Sequence, residues 1–126
     1  MTPPSKELLS AVFGKKIGKI ETKGVYLEYE HWENCINHQK QDISGYDITR
    51  INIHELAHKI KEWALKQGYR IASQLIERGI TIDIGMNGFA VVHTCNREVN
   101  KEREDTEPEA VFAAGEWVLN QQDKGI

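Results

Sequence analysis

A change of hydrophobic period in the middle of this chain constrains its fold more than any other feature. From Asn52 to Gly68, the apolar residues Leu56, Ala57, Ile60, Trp63 and Ala64 recur at helical spacing. From Ile80 to Ile84 they recur at every second position, with Thr81 and Asp83 between them. A helix that must bury one stripe and strands that must bury one face together demand a layered domain. The chain has 126 residues, enough to bury a core without disulfides, metal or a partner. It reads as a single domain, 1–126, with a helix-hairpin part at 1–51 and an α-β-β-β-α part at 52–126.

The helix has defined ends. Asn52 is a strong N-cap residue, and Glu55 follows three places later as in a capping box. Ile51 and Leu56 fit a hydrophobic staple across that cap, and Gly68 stops the helix. Glu55 with Lys59 and Glu62 with Lys66 are i,i+4 pairs on the solvated face. A second helix is predicted from Thr106-Glu-Pro-Glu109, with Pro108 in the first turn and Val111, Ala114, Gly115, Val118 and Leu119 as its stripe. Gly115 in mid-helix costs about 1 kcal/mol against alanine, so Ala113-Ala-Gly115 predicts close approach to a sheet or another helix. Near the start, Ser5 caps a short helix with Leu8, Leu9, Val12 and Phe13 on one stripe, stopped by Gly14.

Strand patterning fills the rest. Lys23-Gly24 turns a hairpin between Ile17 and Trp32, where Val25, Leu27 and Tyr29 alternate with Tyr26, Glu28 and Glu30. Tyr46 to Ile51 admits one more short strand. Tyr69, Ile71, Ser73 and Leu75 alternate, while Ile71, Leu75 and Ile76 also fit a helix, so both readings of Tyr69 to Ile76 stand. Arg78-Gly79 turns the chain, and Asn87-Gly88 is a two-residue hairpin signal before a returning strand from Phe89 to Cys95. Glu33 to Gly45 reads as a polar loop, and Asn96 to Asp105 as a charged, exposed stretch. The expected class is α+β, in the order α-β-β-α-β-β-β-α, with helices packed on a mostly antiparallel sheet.

Composition narrows function. Nineteen acidic against 16 basic residues leave a net charge of −3, too balanced to advertise a polyanion-binding surface. No apolar run approaches a membrane span, and Met1 to Lys19 lacks a signal-peptide core. Two cysteines, Cys35 and Cys95, make no disulfide framework, so a reduced cytoplasmic chain is expected.

One motif carries chemistry. His54-Glu-Leu-Ala-His58 matches H-E-x-x-H, in which two histidines one turn apart share a zinc ion and the glutamate acts as general base on bound water. On that reading His54 and His58 are metal ligands and Glu55 is catalytic. Lys59 follows the second histidine where an uncharged residue is usual, and no third histidine follows downstream; Glu77 is the one candidate third ligand. Glu55 also has a capping role, and the helical angle places His54 and His58 beside the buried stripe rather than within it. The competing reading is an amphipathic helix with two boundary histidines and no cofactor. A looser set, His31, Cys35, His38, His93 and Cys95, lacks paired metal-ligand spacing. No phosphate-loop, dinucleotide or nucleophile-elbow motif occurs. Trp32, Trp63 and Trp117 read as core or boundary aromatics rather than a ligand platform.

Two resemblances follow. From Ile53 to Gln121 the order α-β-β-β-α, with the Asn87-Gly88 hairpin and the alanine-rich last helix, resembles the double-stranded RNA-binding domain. That resemblance implies a topology. The family grips phosphates with a lysine-rich start to its last helix, where this chain has Glu104-Asp-Thr-Glu-Pro-Glu109. The segment Asp105 to Leu119, together with Ile53 to Tyr69, is similar to small phage and prophage proteins with an α-β-α sandwich. That likeness implies a fold and a phage or prophage origin, and no activity. The expected function is therefore a small cytoplasmic accessory protein of phage type, non-enzymatic, binding a protein partner or a second copy. A zinc-dependent hydrolase is the first alternative and a nucleic-acid binder the second; neither nucleic acid nor membrane is the expected partner.

Overall fold

The computed structural model describes residues 2–32, 46–76, 79–86, 91–98 and 106–124. Its elements run α1 (Lys6–Phe13), β1 (Lys16–Lys23), β2 (Tyr26–Trp32), β3 (Asp47–Asn52), α2 (Ile53–Lys66), β4 (Tyr69–Ile76), β5 (Gly79–Met86), β6 (Val91–Glu98) and α3 (Thr106–Lys124). The class is α+β as expected, with helices on antiparallel strands. The order gains one strand, β3, in the stretch where a short strand was possible. The strands also divide into two sheets, β1-β2-β3 and β4-β5-β6.

The first sheet begins at the predicted turn. Lys23 pairs with Tyr26 across Gly24, whose φ of 61° lies in the left-handed region that favours glycine. β2 then pairs with β3 from Tyr26↔Asn52 to His31↔Asp47. Leu27, Tyr29 and Ile51 turn inward and are buried. The polar run Glu33 to Gly45 lies outside the described residues.

Asn52 ends β3 and caps α2 in one step: its Oδ1 accepts the backbone N–H of His54 at 2.8 Å. Ile51 and Leu56 are both buried beside the cap, as the staple requires. All five residues of the predicted stripe are buried, together with Ile53. Gly68, at φ 92°, closes the helix.

β4 settles the open choice for Tyr69 to Ile76. It pairs with β5 in unbroken register from Tyr69↔Met86 to Ile76↔Gly79, so the segment is strand. Ile80, Ile82 and Ile84 all face the helices and are buried. β5 pairs antiparallel with β6, which is described from Val91; the Asn87-Gly88 turn and Phe89 lie outside the described residues. β6 continues to Glu98, past the expected end at Cys95, because its ladder with β5 extends to Gly79↔Glu98.

The helices bridge the two sheets: α1 and α2 pack on the first, α2 and α3 on the second. One continuous core joins Leu8, Leu27 and Ile51 to Ile60, Ile82 and Val118. Gly115 marks the crossing of the three helices. A Cβ there would lie 2.7 Å from Ile60 Cγ2 on α2 and 3.0 Å from Leu8 Cδ2 on α1. The mid-helix glycine thus serves a helix–helix approach. Ser5 locks the same junction. Its hydroxyl accepts the N–H of Leu8 at 3.0 Å and donates to Glu116 Oε1 at 2.6 Å, while its own N–H donates to Glu116 Oε2 at 2.9 Å.

Candidate functional site

The H-E-x-x-H residues stand on the solvated side of α2. His54, Glu55 and His58 are exposed, while Leu56 and Ala57 between them are buried. His58 Nε2 lies 3.3 Å from Glu62 Oε1, with 72% of the histidine side chain and 57% of the glutamate exposed. Exposed i,i+4 pairs of this kind contribute a few tenths of a kcal/mol. Among the described residues, no group of three or more His, Cys, Asp or Glu is placed to hold a metal. We expect His54→Ala and His58→Ala each to change stability by less than about 1 kcal/mol. A urea titration checks this, and a larger loss in either variant would give the histidine a structural partner.

The two described histidines of the looser set stand on different sheets. His31 is buried on the inner face of β2, with Nε2 2.6 Å from Thr49 Oγ1. His93 stands on β6 in the other sheet and stacks on Trp117 at 4.8 Å. Cys35 and His38, and likewise Glu77, lie outside the described residues, as does the side chain of Cys95. Tyr29 neighbours His31 and stacks on Phe13 at 5.1 Å; burial raises its hydroxyl pKa above the ordinary value.

The start of α3 combines two different environments. Glu107 is exposed and accepts a hydrogen bond from Ser73 Oγ at 2.9 Å, whereas Glu109 is buried. Glu104 and Asp105 lie outside the described residues. Among the described residues, no helix is long and apolar enough to cross a membrane.

The outer face of the first sheet carries exposed aromatic and apolar side chains among paired charges. Side chains opposite to Leu27 and Tyr29 point away from the core. Tyr26, Glu28, Glu30 and Trp32 therefore share that face with Ile48 and Arg50 of β3. Ile48 is 61% exposed, Tyr26 41% and Tyr46 42%. Trp32 lies across Gly18, whose absent Cβ would meet the indole at 3.0 Å, and packs near Tyr46 at 6.3 Å. A shallow open depression of about 220 Å³ lies between Lys19, Glu21, Glu28, Glu30 and Ile48.

The charges on this face are tied to one another. Arg50 donates to Glu28 Oε1 from Nε at 3.1 Å and from Nη2 at 2.8 Å. Lys23 Nζ reaches Glu28 Oε2 at 3.0 Å, and Lys19 pairs with Glu21 at 2.7 Å. Lys16 lies over Trp32 at 5.3 Å and Arg50 over Tyr26 at 5.4 Å. Arg50, and then Lys23, hold the Glu28 carboxyl below its ordinary pKa of 4.5. A lowered folded pKa means this contribution is complete above 4.5 and is lost as pH falls through the folded value. Glu28→Gln is therefore expected to flatten the fall of melting temperature on acidification below 4.5. Parallel pH profiles for both proteins would contradict that.

The sequence showed the alternation but not this face. Its signal was the outward set Tyr26, Glu28, Glu30 and Trp32, with an aromatic ring at each end of one strand. Trp32, expected as a core or boundary aromatic, is half-buried at that face. No family model matches the chain, and no curated protein or solved structure matches it.

Proposed function

We propose that this chain is a non-enzymatic accessory module that binds a protein partner through the outer face of β1-β2-β3. One observation carries the reading: Ile48, 61% exposed, shares a sheet face with Tyr26, Trp32 and Tyr46. Aromatic and large apolar side chains together with arginine are the residue types enriched in protein-binding hot spots. The paired charges argue in the same direction. A polyanion is held by cations free to meet phosphates, and here Lys19, Lys23 and Arg50 are engaged by carboxylates on their own sheet. The phage or prophage type suggested by Asp105 to Leu119 belongs to this proposal and rests on the likeness alone.

The test is capture by the immobilised full chain from a nuclease-treated, chelator-treated extract. The wild type is expected to retain a defined protein that Ile48→Arg loses, with unchanged circular dichroism. Zinc-dependent hydrolysis that requires Glu55, or salt-sensitive binding of duplex RNA, would overturn the proposal.

A further inference from the structure

We propose that two copies of this chain pair through β4, antiparallel about a two-fold axis at Ala72, joining two β4-β5-β6 sheets into one of six strands. This pairing uses a different part of the molecule from the outer face of the first sheet and stands without it.

The first ground is the strand's edge. β4 pairs with β5 on one side and with no strand on the other among the described residues. Proteins usually blunt such an edge with charge, a bulge or short length. The other edges are blunted in this way. β1 carries Lys16, Lys19 and Lys23 and a register shift between Ile17 and Ile20. β3 is six residues long, with Asp47 and Arg50. β6 has a shift opposite Ile84 and Gly85. β4 runs eight residues in continuous register, and Arg70 is its one charged residue.

The second ground is apolar exposure at both ends of that edge. Leu75, near the C-terminal end of β4, is 73% exposed although its register places it on the helix-facing side with Ile71. Leu65 on α2 is 51% exposed. It lies one turn beyond Lys61, whose Nζ donates to Ser73 Oγ at 3.2 Å, so the two share the face of α2 that looks along β4. Within one copy the two leucines flank opposite ends of the strand.

Antiparallel self-pairing brings them together. With the axis at Ala72, Leu75 of one copy falls opposite Tyr69 of the other, beside that copy's Leu65. The same contact repeats at the other end, as an isologous interface requires. Arg70 faces Gln74, Ala72 faces Ala72, and no like charges are opposed along the strand. Lys61 comes near the axis already accompanied, because Ser73 Oγ also donates to Glu107 at 2.9 Å.

The test is sedimentation equilibrium on the purified full chain, with Leu75→Lys and Ala72→Cys beside it. The wild type is expected at twice the 14.4 kDa chain mass and Leu75→Lys at half the wild-type value. Under mild oxidation Ala72→Cys is expected to cross-link between copies. Gln74→Cys should cross-link no more than the parent chain does through its native cysteines, because two residues 74 would stand about 13 Å apart along the strands. Should Leu75→Lys fail to fold, the cysteine pair decides alone. A monomeric wild type, an assembly indifferent to folded Leu75→Lys, or an Ala72→Cys chain that does not cross-link would each overturn the proposal.

Discussion

Gly115→Val is expected to destabilise the chain strongly. The position is closed on two sides: a Cβ would meet Ile60 Cγ2 at 2.7 Å and Leu8 Cδ2 at 3.0 Å. Both neighbours are fully buried, so neither can swing into water to make room. Alanine would recover about 1 kcal/mol of helix propensity, which offsets part of its clash. Valine adds two further methyl groups and loses side-chain freedom in the helix. Overpacking of a filled core costs roughly 1–3 kcal/mol and occasionally more. We expect about 3 kcal/mol or more for valine, or a fall in melting temperature on the order of 10 °C. Thermal unfolding followed by circular dichroism measures it. A wild-type melting temperature would mean that α1, α2 and α3 do not meet at this residue.

Trp63→Ala is expected to follow closely. Trp63 is 8% exposed, with its neighbours on the stripe, Ile60 and Ala64, fully buried. It also borders an open groove of about 450 Å³ between α1 and α2, with Val12, Phe13, Lys59 and Lys66 around it. Removing the indole loses burial of the largest side chain on α2 and extends that groove into the core. Aromatic-to-alanine changes cost roughly 3–5 kcal/mol, and access of water to the groove puts this one near the lower end. Trp63→Phe keeps most of the apolar surface and should recover more than half of the loss. Urea midpoints for the three proteins test this, and equal midpoints for wild type and Trp63→Ala would place the wrong face of α2 inward.

The parts of the fold legible in sequence were those governed by local chemistry. Asn52 and Ser5 cap helices because a short polar side chain can reach an unsatisfied N–H, and both do so. Gly24 turns the first hairpin for a local steric reason. Gly115 was legible as a close approach because its helical cost demanded a compensating contact. What the sequence could not decide depended on pairing and packing outside each segment's own period. Tyr69 to Ile76 fits both periods, and only its pairing with β5 makes it a strand. The division into two sheets was likewise invisible, because each strand carries one inward face whichever sheet it joins. Ser5 bonded to Glu116 joins residues at opposite ends of the chain, and no local pattern encodes that.

The proposed interface was less legible in the sequence. H-E-x-x-H drew attention to His54, Glu55 and His58, which occupy the exposed face of α2. The outer face of β1-β2-β3 went unnoticed because the pattern Tyr26, Glu28, Glu30, Trp32 looks like an ordinary solvated side of a strand. Ile48 and Tyr46 join it only through the pairing of β2 with β3 and the packing of Tyr46 near Trp32.

Recognition through that outer face, rather than chemistry on α2, is the centre of this account. The affinity of the captured partner for three chains tests it most directly: the wild type, Ile48→Arg, and the His54→Ala/His58→Ala double variant. Loss of a hot-spot contact is expected to weaken binding by at least about 30-fold, which is roughly 2 kcal/mol. The double histidine variant should bind as the wild type does. Wild-type affinity in Ile48→Arg, with binding lost in the histidine variant, would contradict the account and move its site to α2.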